Sequence, residues 1–311
     1  RYPSMRLRVN HPLFLEKVSY FYDWLFPKLL PYQSDQGGTI LMMQVENEYG
    51  SYAEDKAYMR SIAQMMKVRG VTVPLFTSDG TWIEALESGT LIEDDIFVTG
   101  NFGSQPKENT DNLRAFMERY GKKWPLMCTE FWDGWFSRWS EEIVRREAED
   151  LAQDVKEMLQ LGSMNLFLLR GGTNFGFISG CSARKTKDLP QITSYDFDAP
   201  ITEWGQPTEK YYAVQRVTHE VFPELEQMEP ISRQAKAYGS FPLLGTANLL
   251  DVAADITEEI LLDYPQPMEQ IGQNHGYILY RSDIKNQYHE ERLKALETHD
   301  RCHFYVNQEH L

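Results

Sequence analysis

"GGTILMMQVENEYGSY", residues 37–52, opens on two glycines, runs through Ile40, Leu41, Met42 and Met43, and ends among two carboxylates and an amide. A short apolar run after a glycine break predicts a buried strand over Thr39–Gln44. Glu46, Asn47 and Glu48 then stand at the strand's C-terminal mouth. Ionised groups are costly beside buried apolar chain unless something there uses or pairs them.

Outward from this stretch the chain alternates between two periodicities. Upstream, Val18, Phe21, Leu25 and Leu29 recur at helical spacing. Downstream, Tyr58, Ile62, Met65 and Met66 do the same, with Gly70 placed to end the helix. "VTVPLFTSDG" predicts the next strand and "TWIEALESG" a short helix. "DIFVTGNFG", "WPLMCTEF" and "MNLFLLRGGTNFG" predict three more strands. "NTDNLRAFMERYG" and "EEIVRREAEDLAQDVKEMLQLG" predict the helices between them, and "TEKYYAVQRVTHEVF" a closing one. Repeated βα units imply a parallel sheet, and strands apolar throughout imply burial of both its faces.

A (β/α)8 TIM barrel and a doubly wound sheet both fit that pattern. No glycine-rich dinucleotide fingerprint follows any strand, which counts against the second. Acids and aromatics at strand C-terminal ends favour the barrel, whose active sites gather on that face. Five strands are countable where a barrel needs eight, so about three N-terminal units are expected ahead of residue 1. Residues 1–225 thus read as part of a barrel. Residues 226–311, with strand-like pieces in "GSFPLLGTANLLDVAADI", "HGYILYRSDI" and "DRCHFYVNQEHL", read as the start of an all-β sandwich.

The 311 residues are 42% hydrophobic and 25% charged, ordinary for a soluble globular chain. Thirty-one basic against 46 acidic side chains give a net charge of −15, which disfavours nucleic acid and anionic membrane surfaces as partners. No run approaches the roughly 18 apolar residues of a membrane span. Three scattered cysteines are no disulfide framework and favour a reducing, cytoplasmic setting, though the start at Arg1 leaves a removed leader compatible. Aromatic content of 13% suits sugar stacking and a large core equally well.

The second carboxylate is Glu130, at the end of "WPLMCTE". Two carboxyls facing each other across a cleft are what glycoside hydrolysis needs: one protonates the leaving oxygen, the other attacks the anomeric carbon or directs water. Mutual repulsion and burial would raise one of the two pKa values. On the residues alone, two unrelated structural acids remain an alternative.

Several blocks resemble glycoside hydrolase family 35, the β-galactosidases: "GGTILMMQVENEYGSY", "PLFTSDGTW", "WPLMCTEFWDGWFSRW", "GGTNFGF" and "TSYDFDAPITEWGQPTEKY". The resemblance spans most of residues 1–225. It implies a retaining exo-β-galactosidase without metal or organic cofactor, with Glu48 as acid/base and Glu130 as nucleophile. It further implies that Asn47 binds the sugar 2-hydroxyl and that Tyr195 lies near the galactose and the nucleophile. Trp132, in "EFWDGWF", resembles the bacterial branch acting on terminal β-1,3-linked galactose, where it would stack on the leaving sugar. Phe167 and Phe197 stand where relatives carry Tyr, and Arg170 where they carry His. These departures keep a galactose-binding protein with impaired catalysis open as an alternative, beside another paired-carboxylate β-glycosidase. The expected partner is a galactoside, and self-association is compatible with all of this. Glu46 reads as structural, holding the strand end or a neighbouring cation. "GGTNFG" reads as a tight turn, and "THDRCH", with His299 and His303, as part of a strand rather than a metal site.

Overall fold

The structure, a computed structural model, describes residues 4–311 except 184–186, 232–233, 285–293, 297 and 299. It divides into two units, Tyr2–Gln234 and Ala235–Leu311. In the first, α1 (Pro12–Leu29), β1 (Met43–Gln44), α2 (Lys56–Val68), β2 (Leu75–Gly80) and α3 (Ile83–Gly89) follow in turn. Then come β3 (Phe97–Phe102), α4 (Pro106–Arg119), β4 (Met127–Trp132), α5 (Ala148–Leu161) and β5 (Ser163–Phe167). All five strands pair in parallel in the order 1-2-3-4-5. A doubly wound sheet reverses its order at a switch point, whereas a barrel lays each strand beside the last. The unreversed order is that of a (β/α)8 barrel, of which these five strands are part.

Local chemistry fixes the helix ends. Asp55 Oδ1 accepts from Tyr58 N at 2.9 Å and so caps α2, while Gly70 closes it at φ +97°. Pro12 and Pro106 open α1 and α4, where a missing N–H costs nothing. The helices bury their apolar faces on the sheet in three clusters. One joins α1 and α2 to β1 and β2, the second joins α5 to β4, and the third packs Leu86, Leu113 and Phe116 on Val98. Phe131, fully buried, contributes about 1.5–3 kcal/mol by that burial.

Three expectations shift. The first strand is shorter than Thr39–Gln44, because Ile40 bridges Gln33 instead and Leu41 points to solvent. In α1 the packed face runs through Leu15, Val18, Tyr22, Phe26 and Leu29, so Phe21 is exposed. The fifth helix starts at Ala148 rather than near Glu141. Arg146, just ahead of it, donates to the carbonyls of Gly103 (2.6 Å) and Trp132 (3.2 Å), while its backbone N–H donates to Asp198. Those bonds tie residues 145–146 to the mouths of β3 and β4 instead of to a helix.

After β5 the chain forms short pieces: β6 (Gly172–Thr173), β7 (Cys181–Ala183), β8 (Asp188–Pro190) and β9 (Ser194–Tyr195), then α6 (Glu209–Val221). The sixth strand pairs antiparallel with the ninth, so "GGTNFG" does more than turn the chain. A Cβ on Gly171 would stand 2.1 Å from the Tyr195 carbonyl oxygen, and only glycine lets the two segments meet this closely.

The second unit contains α7 (Leu249–Ile256), capped by Asn248, and the hairpin of β10 (Tyr305–Val306) and β11 (Glu309–His310). The expected strand over "GSFPLLGTANLLDVAADI" is therefore partly helix, since Asn248 supplies an N-cap before an apolar stretch at helical spacing. "HGYILYRSDI" forms no strand among the described residues. His303 sits 3.1 Å from His310 across the hairpin, and His299 lies outside the described residues. No helix of the described residues is long and apolar enough to cross a membrane.

Candidate active site

Strands β2, β3 and β4 carry buried or half-buried polar residues from their middle to their C-terminal ends, unlike the apolar strands expected. Ser78, Thr99, Asn101 and Thr129 bond to one another across the sheet. Buried polar groups persist when they satisfy each other in this way. At the open end of the network stands Asn101, buried and aimed at the strand mouths. Its Nδ2 donates to Glu48 Oε1 at 3.1 Å. Glu130 is its direct partner in the pairing of β3 with β4. The nearness of the same amide favours the ionised form of Glu130. The two acids thus meet at one side chain, although they are 82 residues apart in the chain.

Glu48 reaches this position through strained backbone. Glu46 and Glu48 have φ of +59° and +47°, the left-handed region that costs non-glycine residues free energy. Two bonds pin the turn: Glu48 N donates to Ser78 O (3.0 Å), and Gly50 N to Asp79 Oδ1 (2.7 Å). A Cβ on Gly50 would stand 1.9 Å from the Ala85 carbonyl oxygen, so only glycine fits there. Asp79 is buried behind the turn, and burial pushes its pKa up to about 6 against the opposing pull of the Gly50 N–H and Lys56. Glu46 turns away, paired with Arg8 at 2.9 Å and accepting from the Tyr58 hydroxyl. Arg8 is the neighbouring cation anticipated for Glu46.

Burial raises the pKa of Glu130 above the usual carboxylate range, the Glu48 charge adds to the rise, and Trp132 opposes it. Trp132 Nε1 donates to Glu130 Oε2 at 3.2 Å, so this indole acts on the carboxylate directly besides edging the site. Around it lies an aromatic wall. Trp132 meets Trp135 edge-on at 5.4 Å, Trp135 meets Phe197 at 5.9 Å, and Phe167 meets Phe197 edge-on at 5.5 Å. Tyr195 stacks on Phe197 at 5.7 Å, and its pKa is raised by burial and by the Glu130 charge. Its hydroxyl makes no hydrogen bond to Glu130 among the described residues. Asn47 is exposed, and its side-chain oxygen accepts from Gln44 Nε2 at 3.0 Å. Arg170 turns to backbone, donating to the carbonyls of Gly171 and Glu203.

Behind the wall, charged side chains tie its backbone in place. Lys210, from α6, donates to the Asp133 carbonyl at 2.8 Å and pairs with Asp198 at 2.5 Å. Asp133 is fully buried, and burial raises its pKa to about 7. Glu203 accepts from the hydroxyls of Thr173 and Ser194 and so fixes the segment carrying Tyr195.

The structure therefore gathers Glu48, Glu130, Trp132, Phe167, Tyr195 and Phe197 on one face. Sequence reasoning missed Asn101, the residue that joins the two acids. Its one signal was an amide at the end of a predicted strand, "TGN", on the same face as the acids.

The family model of glycosyl hydrolases family 35 matches residues 1–221. The chain is 34% identical over 314 residues to "Beta-galactosidase 17" of Arabidopsis thaliana, covering 98% of this chain and 45% of that one. It is 37% identical to "Beta-galactosidase" of Xanthomonas manihotis, covering 90% and 46% of the two chains. To "Beta-galactosidase-1-like protein" of Mus musculus it is 36% identical, covering 91% and 43%. It spans somewhat under half the length of these relatives.

Proposed function

The chain belongs to glycosyl hydrolases family 35, and we propose that the protein carrying it is a retaining exo-β-galactosidase acting on terminal β-D-galactose. The observation that carries this reading is the meeting of Glu48 and Glu130 at Asn101. Relatives named β-galactosidases support the choice of galactose. In the first step Glu130 attacks the anomeric carbon while the bond to the leaving oxygen breaks and Glu48 hands that oxygen its proton. In the second, Glu48 takes a proton from water, which attacks the same carbon and releases Glu130 and β-galactose. Asn47 is assigned to the sugar 2-hydroxyl, and Tyr195, Phe167 and Phe197 to the wall beside the galactose. "EFWDGWF" supports a β-1,3 linkage, and unpaired Cys128, Cys181 and Cys302 support a reducing, cytoplasmic setting. Residues 226–311 are assigned to the beginning of a β-sandwich on the strand-like pieces of their sequence and the hairpin of β10 with β11.

The test is full-length kinetics on matched β-galactosides and β-glucosides. A clear preference for the galactoside is expected, and equal turnover would replace this reading by a broader β-glycosidase.

A pH dependence follows from Trp132. Glu130 must be ionised to attack, so kcat/KM falls as pH drops through its raised pKa. Trp132→Phe removes the N–H that favours the carboxylate, so the acid limb should move to higher pH. An unmoved limb would mean that this hydrogen bond is not made in the working enzyme.

A further inference from the structure

Trp82 lies outside everything assigned so far. It stands two residues past the end of β2 and leads into α3, with 52% of its surface exposed. Lone exposed aromatics are common and mean little. This one is seated. A Cβ on Gly80 would stand 1.8 Å from Trp82 Cζ3, so the indole rests on bare strand backbone that only glycine leaves open. Trp82, Asn101, Trp132 and Trp135 line one open cleft of about 430 Å3, within the range of roughly 300–1,000 Å3 typical of small-molecule sites.

Asn101 links that cleft to both acids. The cleft runs across the mouths of β2, β3 and β4, and Asn101 in its wall bonds to Glu48, the proposed proton donor in the turn after β1. A leaving group that takes its proton from Glu48 would be released beside Asn101, in the wall of this space. The far rim is already ordered: Thr81 donates to Asn109, whose Nδ2 donates to the carbonyls of Ser104 (2.9 Å) and Gln105 (3.1 Å). A flat aromatic held in place beforehand, with polar groups at its edge, suits the apolar face of a sugar ring ringed by hydroxyls.

We infer that Trp82 is a specificity residue on the leaving-group side, and that the substrate is an oligosaccharide whose leaving sugar stacks on this indole. The inference rests on the galactosidase reading and deepens it. It is tested in the full-length protein with two substrates. β-Galactosyl fluoride has no leaving sugar, and a β-1,3-linked galactosyl disaccharide has one. Trp82→Ala should lower the ratio of kcat/KM for the disaccharide to that for the fluoride about tenfold, the scale of one lost aromatic platform. Trp82→Phe should restore most of it. Trp82 is half exposed, so neither variant should lose its fold, which thermal melting checks. An unchanged ratio in Trp82→Ala, with the fluoride still turned over, overturns this inference and leaves the galactosidase reading standing. A wild-type protein that hydrolyses neither substrate overturns both.

Discussion

Glu130→Gln is expected to lower turnover of galactosides by about 10^4-fold or more, because it removes the atom that bonds to the anomeric carbon. The amide is nearly isosteric and keeps an oxygen facing Trp132 Nε1, so the site geometry survives. Stability should not fall. Burial raises the Glu130 pKa, so its ionised form is worse off in the folded chain than in the unfolded one. The sign for a raised acid is that stability is fullest below the unfolded pKa and declines as pH rises through the folded one. Removing the charge should therefore leave the melting temperature near neutral pH at or above that of the parent. Added azide gives a second readout with Glu130→Ala. The small anion can fill the vacated space, attack from the nucleophile's side and yield the α-galactosyl azide. Near-normal turnover by Glu130→Gln would end the assignment, as would a β-azide product from Glu130→Ala.

Glu48→Gln has the next largest effect, a loss of about 10^2- to 10^4-fold on glycosides whose leaving oxygen needs a proton. The loss should shrink in the first step when the leaving group is a good one, such as a dinitrophenolate. The second step still needs a base, so the galactosyl-enzyme should accumulate and appear as a burst of released phenolate. In Glu48→Ala, azide would attack that intermediate from the acid/base side and give the β-galactosyl azide. Opposite azide anomers from the two alanine variants separate the two carboxylates without reference to rate. If both variants lost the same factor on every leaving group and gave no burst, the two roles could not be divided as assigned.

Neither experiment depends on Glu46, which the sequence left beside Glu48 in the same strand-end motif. Its bonds with Arg8 and Tyr58 are the kind that hold a turn in shape, and they show why nearness in sequence is a poor guide to function here. The left-handed φ values of Glu46 and Glu48 make the point in backbone terms. Two acids separated by a single residue, Asn47, are turned to different partners by a strained turn whose dihedral angles no residue pattern encodes.

Segment patterning was enough for the parallel βα alternation, the packed face of α2, and the placing of both carboxylates at strand C-terminal ends. These rest on periodicity and on strand polarity, which are properties of short segments and survive without long-range contacts. Tertiary structure alone decided that Asn101 is where the two acids converge, that Trp132 bonds to Glu130, and that Tyr195 arrives through the pairing of β6 with β9 across a bare glycine. It also decided that the fifth helix starts late, because Arg146 is spent on the carbonyls at the mouths of two strands. The physical reason is common to all of these. Each depends on where a residue from one strand mouth stands relative to a residue tens of positions away, and cross-sheet register and loop return set that distance while local propensity does not.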